Sequence, residues 1–162
     1  MFVKKLSSLF TWLIVFTGLA TGISSCGSSI AETEYEIDGD CWSSRDTVFL
    51  QFDNPDTSSI YRLYFPITFT ESYSYNNFYL HALVVSPSGD ENLLPARFDL
   101  MDKQGNWYSE PSGDEIPFKL TVEDGLRFNQ MGSYTIKLFH YMRDEPLCGV
   151  RSSGIVLDAV SQ

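Results

Sequence analysis

Tyr61-Arg62-Leu63-Tyr64-Phe65-Pro66-Ile67-Thr68-Phe69-Thr70 is the stretch that decides how this chain folds. Tyr61, Leu63, Phe65, Ile67 and Phe69 fall on one side, and Arg62, Tyr64, Pro66, Thr68 and Thr70 on the other. Successive side chains leave opposite faces of a pleated backbone, so this period of two predicts a half-buried antiparallel strand. Pro66 lacks an N–H for the ladder and suggests an edge strand or a bulge.

The same pattern continues outward in both directions. Upstream, Thr47 to Phe52 reads as a strand closed by Asp53-Asn54-Pro55-Asp56. Downstream, Phe78 to Ser86 is apolar on both faces, which predicts a central strand, and Pro87-Ser88-Gly89-Asp90 turns it. Ala96 to Met101 follows, with Asp102-Lys103-Gln104-Gly105-Asn106 as a turn into Trp107-Tyr108. Pro111 to Asp114 is a loop, Ile116 to Val122 a strand, and Glu123-Asp124-Gly125 a turn. Tyr134 to Met142 and Ile155 to Val160 complete the series. About eight strands with turn signals roughly every 8–12 residues predict an all-β fold. The expected architecture is one antiparallel β-sandwich, jelly-roll or immunoglobulin-like. Tyr134, placed after Phe128 and Gly132-Ser133, resembles a tyrosine corner, whose hydroxyl bonds back to nearby backbone.

The N-terminus carries a different signal. Lys4 and Lys5 precede an apolar run from Leu9 to Ala20, and then comes Ile23-Ser24-Ser25-Cys26-Gly27. That order is a secretion signal ending in a lipobox, with Cys26 as the thiol that receives a diacylglycerol. The apolar run is shorter than the roughly 20 residues that span a bilayer. The expected organisation is a signal peptide over 1–25, a lipidated tether over 26–33 and a sandwich over 34–162. More than one acyl chain on Cys26 would give stable anchoring. Gly27 follows the cysteine, with no aspartate there, which favours the outer membrane. No strong acidic run adjoins the cysteine, which leans to its periplasmic leaflet over the cell surface.

The whole chain has a net charge of −10. Losing both signal lysines would bring it to about −12. Such a surface repels phosphate backbones, so nucleic acid is not an expected partner. Cys41 and Cys148 remain after Cys26 in an oxidising compartment. Joined, they would close a loop of more than a hundred residues, worth up to about 4–5 kcal/mol. Two separate buried thiols are the alternative.

Chemistry is sparse. His81 and His140 each lie within a predicted strand and belong to no ligand cluster, so no metal is expected. The acidic clusters Asp38-Gly39-Asp40, Asp53 to Asp56, Asp114-Glu115 and Glu123-Asp124 match turn chemistry and not a calcium loop. No G-x-S-x-G elbow occurs. No catalytic residue and no cofactor is assigned, and a non-enzymatic role is expected. The aromatic content, 15% of residues, is dense. Tyr73 and Tyr75 lie in the polar stretch Glu71-Ser72-Tyr73-Ser74-Tyr75-Asn76-Asn77, where core demand explains them poorly. Tyr73, Tyr75, Asn76, Trp107 and Arg143 are therefore candidates for an interaction surface. At Met142-Arg143-Asp144, the fork of Arg143 could clamp Asp144, Glu145 or backbone, or serve as a partner hot spot.

Several spaced elements together resemble the gliding-motility-associated lipoprotein GldH family of the Bacteroidota. Trp42 precedes Asp46-Thr47-Val48-Phe49, and Tyr73-Ser74-Tyr75-Asn76-Asn77-Phe78-Tyr79-Leu80 is similar to a family stretch. Pro87-Ser88-Gly89 and Gly105-Asn106-Trp107 follow in order. Phe128, Gly132 and Tyr134 lead to Met142-Arg143-Asp144, Leu147-Cys148-Gly149-Val150 and Gly154-Ile155. The resemblance covers Trp42 to Val160. Tyr108-Ser109-Glu110 and the two cysteines, Cys41 and Cys148, depart from the family pattern. The resemblance implies an envelope lipoprotein needed for gliding in motile members, whose machinery shares parts with type IX secretion. It implies membrane attachment through an N-terminal diacylglycerol and envelope protein partners, among them gliding or secretion components. It implies no catalytic residues. The alternative reading is a carbohydrate-binding surface lipoprotein, which requires a solvent-facing row of Tyr61, Tyr64, Tyr73 or Trp107. A hydrolase would require a deep pocket with perturbed acids or histidines.

Overall fold

The computed structural model describes residues 29–160. The expected signal peptide and Cys26 lie outside the described residues. The strands are β1 (Ser29–Glu36), β2 (Cys41–Trp42), β3 (Val48–Asn54), β4 (Ile60–Thr70), β5 (Asn77–Val85), β6 (Glu91–Asp99), β7 (Glu115–Leu126), β8 (Gly132–His140), β9 (Leu147–Cys148) and β10 (Val150–Val160). A short 3-10 turn, Asp38–Asp40, separates β1 from β2.

Two four-stranded sheets, β1-β10-β4-β7 and β3-β8-β5-β6, make the sandwich, and β2 pairs with β9 beside them. All of these pairings are antiparallel. The all-β sandwich is the architecture that the alternation predicts. The apolar side of β4 is the centre of the core: Tyr61, Leu63, Phe65, Ile67 and Phe69 are all buried. They face Leu50 and Phe52 of β3, Phe78 and Leu80 of β5, and Ile136 and Leu138 of β8, buried likewise. Phe65 and Phe78 stack across the two sheets at 5.8 Å.

Four local expectations change. First, β4 is an interior strand between β10 and β7, not an edge. Its ladder with β10 passes from Ile67↔Ser153 to Tyr64↔Val156, so the N–H that Pro66 lacks falls in a gap of the pairing. Opposite Pro66 stands Gly154, whose missing side chain makes room for the ring: a Cβ there would lie 3.2 Å from Pro66 Cγ. Second, the tether expected over 26–33 is a strand from Ser29 onward, paired with β10. Ala31, Thr33 and Tyr35 are half-buried while Glu32, Glu34 and Glu36 are exposed, an alternation that a strand at the sheet edge satisfies. Third, Glu123-Asp124-Gly125 is not a turn but part of β7, where register shifts against β4 absorb the glycine. Fourth, the strand expected over Ala96 to Met101 starts earlier and stops sooner, as β6. As expected, β5 is central, between β8 and β6. The Tyr134 hydroxyl accepts a hydrogen bond from the Gln130 N–H at 3.1 Å, as a tyrosine corner does.

The antiparallel course gives the sandwich two distinct ends. At the base, β1 begins, β10 ends and β3, β5 and β7 end. At the crown, β1 hands over to the 3-10 turn, and β4 joins β5 through Glu71–Asn76. Eight residues of β1 at about 3.3 Å each set the two ends about 26 Å apart.

Candidate functional site

Two loops and a short ladder build the crown. The first loop leaves β4 at Thr70, whose N–H bonds to the Gly149 carbonyl at 3.0 Å, and turns at once through Tyr73 N–H to Thr70 O, also 3.0 Å. That turn points the Tyr73 ring inward. It is 4% exposed, packs on Phe69 at 4.4 Å and donates its hydroxyl to Asn77 O at 2.8 Å. Burial, with Tyr75 and Asp144 nearby, raises its pKa far above the ordinary tyrosine range. Tyr73 is thus a core residue and not part of an exposed surface. Polar neighbours suggested otherwise, but the chain reverses so tightly that one ring of the stretch dips into the core.

The second loop, Tyr141–Pro146, is held to the β2–β3 connection by Glu145. Its carboxylate accepts from Ser43 Oγ at 2.8 Å and from Ser44 N–H at 3.0 Å. The Ser44 and Ser43 hydroxyls and the Ser44 N–H draw its pKa down to about 2. Beneath it lies His140, 2% exposed, edge-on to Trp42 at 5.3 Å. His140 Nδ1 accepts from Met142 N–H at 3.4 Å, and Nε2 stands 3.9 Å from Glu145 Oε2. Burial depresses the histidine pKa, and Glu145 only partly opposes this, so the neutral ring is favoured. Trp42 Nε1 finds its acceptor in Asp46 O at 2.6 Å.

The ladder between the loops pairs Cys41 with Cys148 and Trp42 with Leu147. The two cysteines form a disulfide across 107 residues of sequence. Arg151 of β10 ties the 3-10 turn to the start of β7 in its own sheet, reaching Asp114 at 2.9 Å, Glu115 at 3.3 Å and Asp40 at 3.4 Å.

What this frame presents to solvent differs from the expected set. Tyr75 is half-buried, and the Asp144 carboxylate near its hydroxyl raises its pKa. Asn76 is exposed, and its carbonyl receives Leu100 N–H at 2.8 Å. Arg143 is exposed and makes no hydrogen bond or ion pair among the described residues. The clamp expected of Arg143 is supplied by Glu145 instead. Trp107 is half-buried against Phe69 and Phe118 at the margin of the core, away from Arg143.

Tyr75 and Arg143 do come together. With Asn77, Tyr79, Tyr141 and Met142 they line an open cleft of about 500 Å³. A second cleft, about 480 Å³, continues from the same two residues over Ser72, Ser74, Asp144 and Pro146 to Cys148. Tyr141 is 67% exposed and stacks on His81 at 4.5 Å, and Arg97 lies over the Tyr79 ring at 5.9 Å. Tyr141 falls within the strand expected over Tyr134 to Met142, but β8 ends at His140 and leaves the ring exposed. The outward alternation Lys137, Phe139, Tyr141 was the signal that could have found it.

The cleft offers stacking faces, hydroxyls and one guanidinium, which suits recognition of a surface. Among the described residues no group of three or more His, Cys, Asp or Glu side chains could hold a metal ion. His81 faces outward and His140 inward on the same sheet. Of the four rings named for glycan binding, two are buried and two, Tyr64 and Trp107, are half-buried. Tyr61 is 2% exposed, Tyr73 is buried, and Tyr64 is half-buried beneath Lys119 Nζ at 4.0 Å.

Comparison with known proteins points in one direction. The family model for the GldH lipoprotein matches residues 29–157. A "Gliding motility lipoprotein GldH homolog" of Christiangramia forsetii is 26% identical over 137 residues, covering 85% of this chain and 83% of that protein. Among solved structures, a carbohydrate-binding module specific for non-crystalline cellulose superposes with a TM-score of 0.40 at 7% identity, over 78% of this chain and 70% of that one. The infectious bursal disease virus VP2 subviral particle gives 0.34 at 10% identity, over 82% and 32%. Both superpositions are too loose to bear on function.

Proposed function

This chain belongs to the GldH lipoprotein family, and from that premise we propose that it is a non-enzymatic accessory subunit of an envelope machine, of the gliding, type IX secretion or envelope-assembly kind. Lipid on Cys26 holds it to the outer membrane, facing the periplasm, and the crown contacts a protein partner. Family membership supports lipid anchoring and an envelope location. The observation that carries the proposal is the position of the crown clefts. Tyr75, Tyr79, Tyr141 and Arg143 converge at the end of the sandwich remote from the start of β1. A protein tethered through its N-terminus presents that end outward. Aromatic and arginine side chains are the residue types that dominate protein interfaces.

The test is mild crosslinking in intact cells, capture through a C-terminal tag and mass spectrometry, beside a Cys26→Ala control. Enrichment of gliding or secretion components that disappears in the control supports the subunit reading. Recovery of polysaccharide-handling proteins alone, or of nothing, overturns it.

A further inference from the structure

Toward the base of the sandwich lie exposed apolar side chains that the crown proposal does not use, Ile30 and Met131 among them. Ile30 is 46% exposed and Met131 66%. Ile30 is the extra residue of a β-bulge: Ser29 pairs with Asp158 and Ala31 with Leu157, so Ile30 has no place in the ladder. Bulges at sheet edges re-aim a side chain. Here the result is an isoleucine left nearly half exposed at the rim of a cleft it shares with Asp53 and Pro55. Met131 stands on the other side of that segment, immediately before Gly132, which pairs with Asn54. Its loop is braced: Asn54 Nδ2 bonds to Gln130 O at 2.8 Å, and Gln130 Nε2 to Ser88 Oγ at 2.8 Å. The methionine is therefore held outward by a fixed loop, and little ordering is needed for it to make a contact.

Chain length identifies what covers this end. Cys26 lies three residues before Ser29, and three residues reach at most about 11 Å. If the acyl chains of Cys26 are in the bilayer, the base cannot stand far from it. We propose that the base is a membrane seat, with Ile30 and Met131 entering the headgroup layer and holding the sandwich upright, crown away from the lipid. The proposal rests on the reading that Cys26 is lipidated. The surface it fits is one of zwitterionic headgroups. Asp53 and Asp90 are exposed at the same end, and a chain of net charge −10 is repelled by anionic lipid. Asp56 adds no unmet demand, because Ser58 and Ser59 satisfy its carboxylate.

Met131 is its own reporter. The lipidated protein in phosphatidylcholine–phosphatidylethanolamine vesicles and its unlipidated Cys26→Ser form in solution are oxidised with dilute peroxide, and each methionine is followed by mass spectrometry. Flotation and the acyl mass on the N-terminal peptide are scored in parallel. The expected result is a severalfold slower oxidation of Met131 in the floating protein, with Met142 at the crown unchanged. A protein that floats with its acyl mass yet oxidises Met131 at the solution rate overturns the seat and leaves the anchor intact. Equal slowing of Met131 and Met142 means a protein lying flat, which also overturns it. Absence of the acyl mass overturns the anchor, and the seat with it.

Discussion

Gly149 lies directly against the backbone of Tyr73. A Cβ on Gly149 would stand 2.5 Å from Tyr73 Cα and closer still to Tyr73 N, and Gly149 itself has φ +85°. Its carbonyl also receives the Thr70 N–H, so the turn that buries Tyr73 is pressed onto the disulfide-bearing strand. Gly149→Ala should therefore cost about 3 kcal/mol or more, through backbone strain and displacement of the turn together. Gly105 shares φ +85° but has nothing within 4 Å of a built Cβ. Gly105→Ala should cost only about 1 kcal/mol. Urea unfolding of both variants separates the two terms, and equal losses would disprove the close packing.

Reduction should reveal what the disulfide supplies. A cross-link spanning 107 residues restricts the unfolded chain strongly. Removing it through Cys41→Ser with Cys148→Ser should cost about 2–5 kcal/mol. A reductant should lower the Tm of the wild type and leave the double variant unchanged. A wild-type Tm indifferent to reductant would show that the thiols are not joined.

Two acid windows should be separable. Glu145 has its folded pKa depressed from 4.5 to about 2. Its contribution is present above 4.5 and is lost as pH falls toward 2. His140 has its folded pKa depressed below 6.5 by burial. Below 6.5 the unfolded chain binds a proton that the native ring resists, so stability also declines from 6.5 downward. Glu145→Gln should flatten the lower window, and His140→Gln the upper one. Denaturation midpoints from pH 7 to pH 2 test both, and unchanged profiles would sink the assignment.

The crown variants should leave the fold intact. Tyr141 is two-thirds exposed and Arg143 makes no bond among the described residues. Tyr141→Ala and Arg143→Ala should shift stability by no more than about 0.5 kcal/mol. Each should still weaken partner capture in the crosslinking assay, by up to about 2 kcal/mol if it is a hot spot. An unfolded Arg143→Ala would restore the clamp reading. Two stable variants that capture partner normally would remove the crown as the contact.

Tyr73→Phe deletes one buried hydroxyl and leaves Asn77 O without its donor. The expected loss is about 1–2 kcal/mol with partner capture unaffected. Loss of capture at wild-type stability would return Tyr73 to the interface.

The sandwich was legible because it is written in a local code. The alternation from Tyr61 to Phe69 names the buried face of β4 residue by residue, and a strand cannot slip by one position without exposing all five apolar side chains. The doubly apolar stretch from Phe78 identified a central strand for the same reason. Within 29–33 the same code was present, but weak: Ala31 and Thr33 on the inward side are small, and only the partner strand β10 makes a sheet of them.

The loops have no such period, and there the tertiary structure decided. Tyr73 and Tyr75 are two residues apart in one polar stretch, yet one is core and the other lines a cleft. The difference is set by Phe69, by Trp107 and by the side chain that Gly149 does not have. The sequence by itself determined which faces of the long strands are buried and the all-β sandwich, and it set the expectation of a lipobox at Cys26. It offered Cys41 and Cys148 as partners without a distance. Only the fold set them opposite one another, made Glu145 the clamp, released Arg143 to solvent, and joined Tyr75 and Arg143 to Tyr141. Strand burial follows from side-chain alternation along a single segment, whereas a loop side chain is buried or exposed by whatever distant residue the fold brings against it.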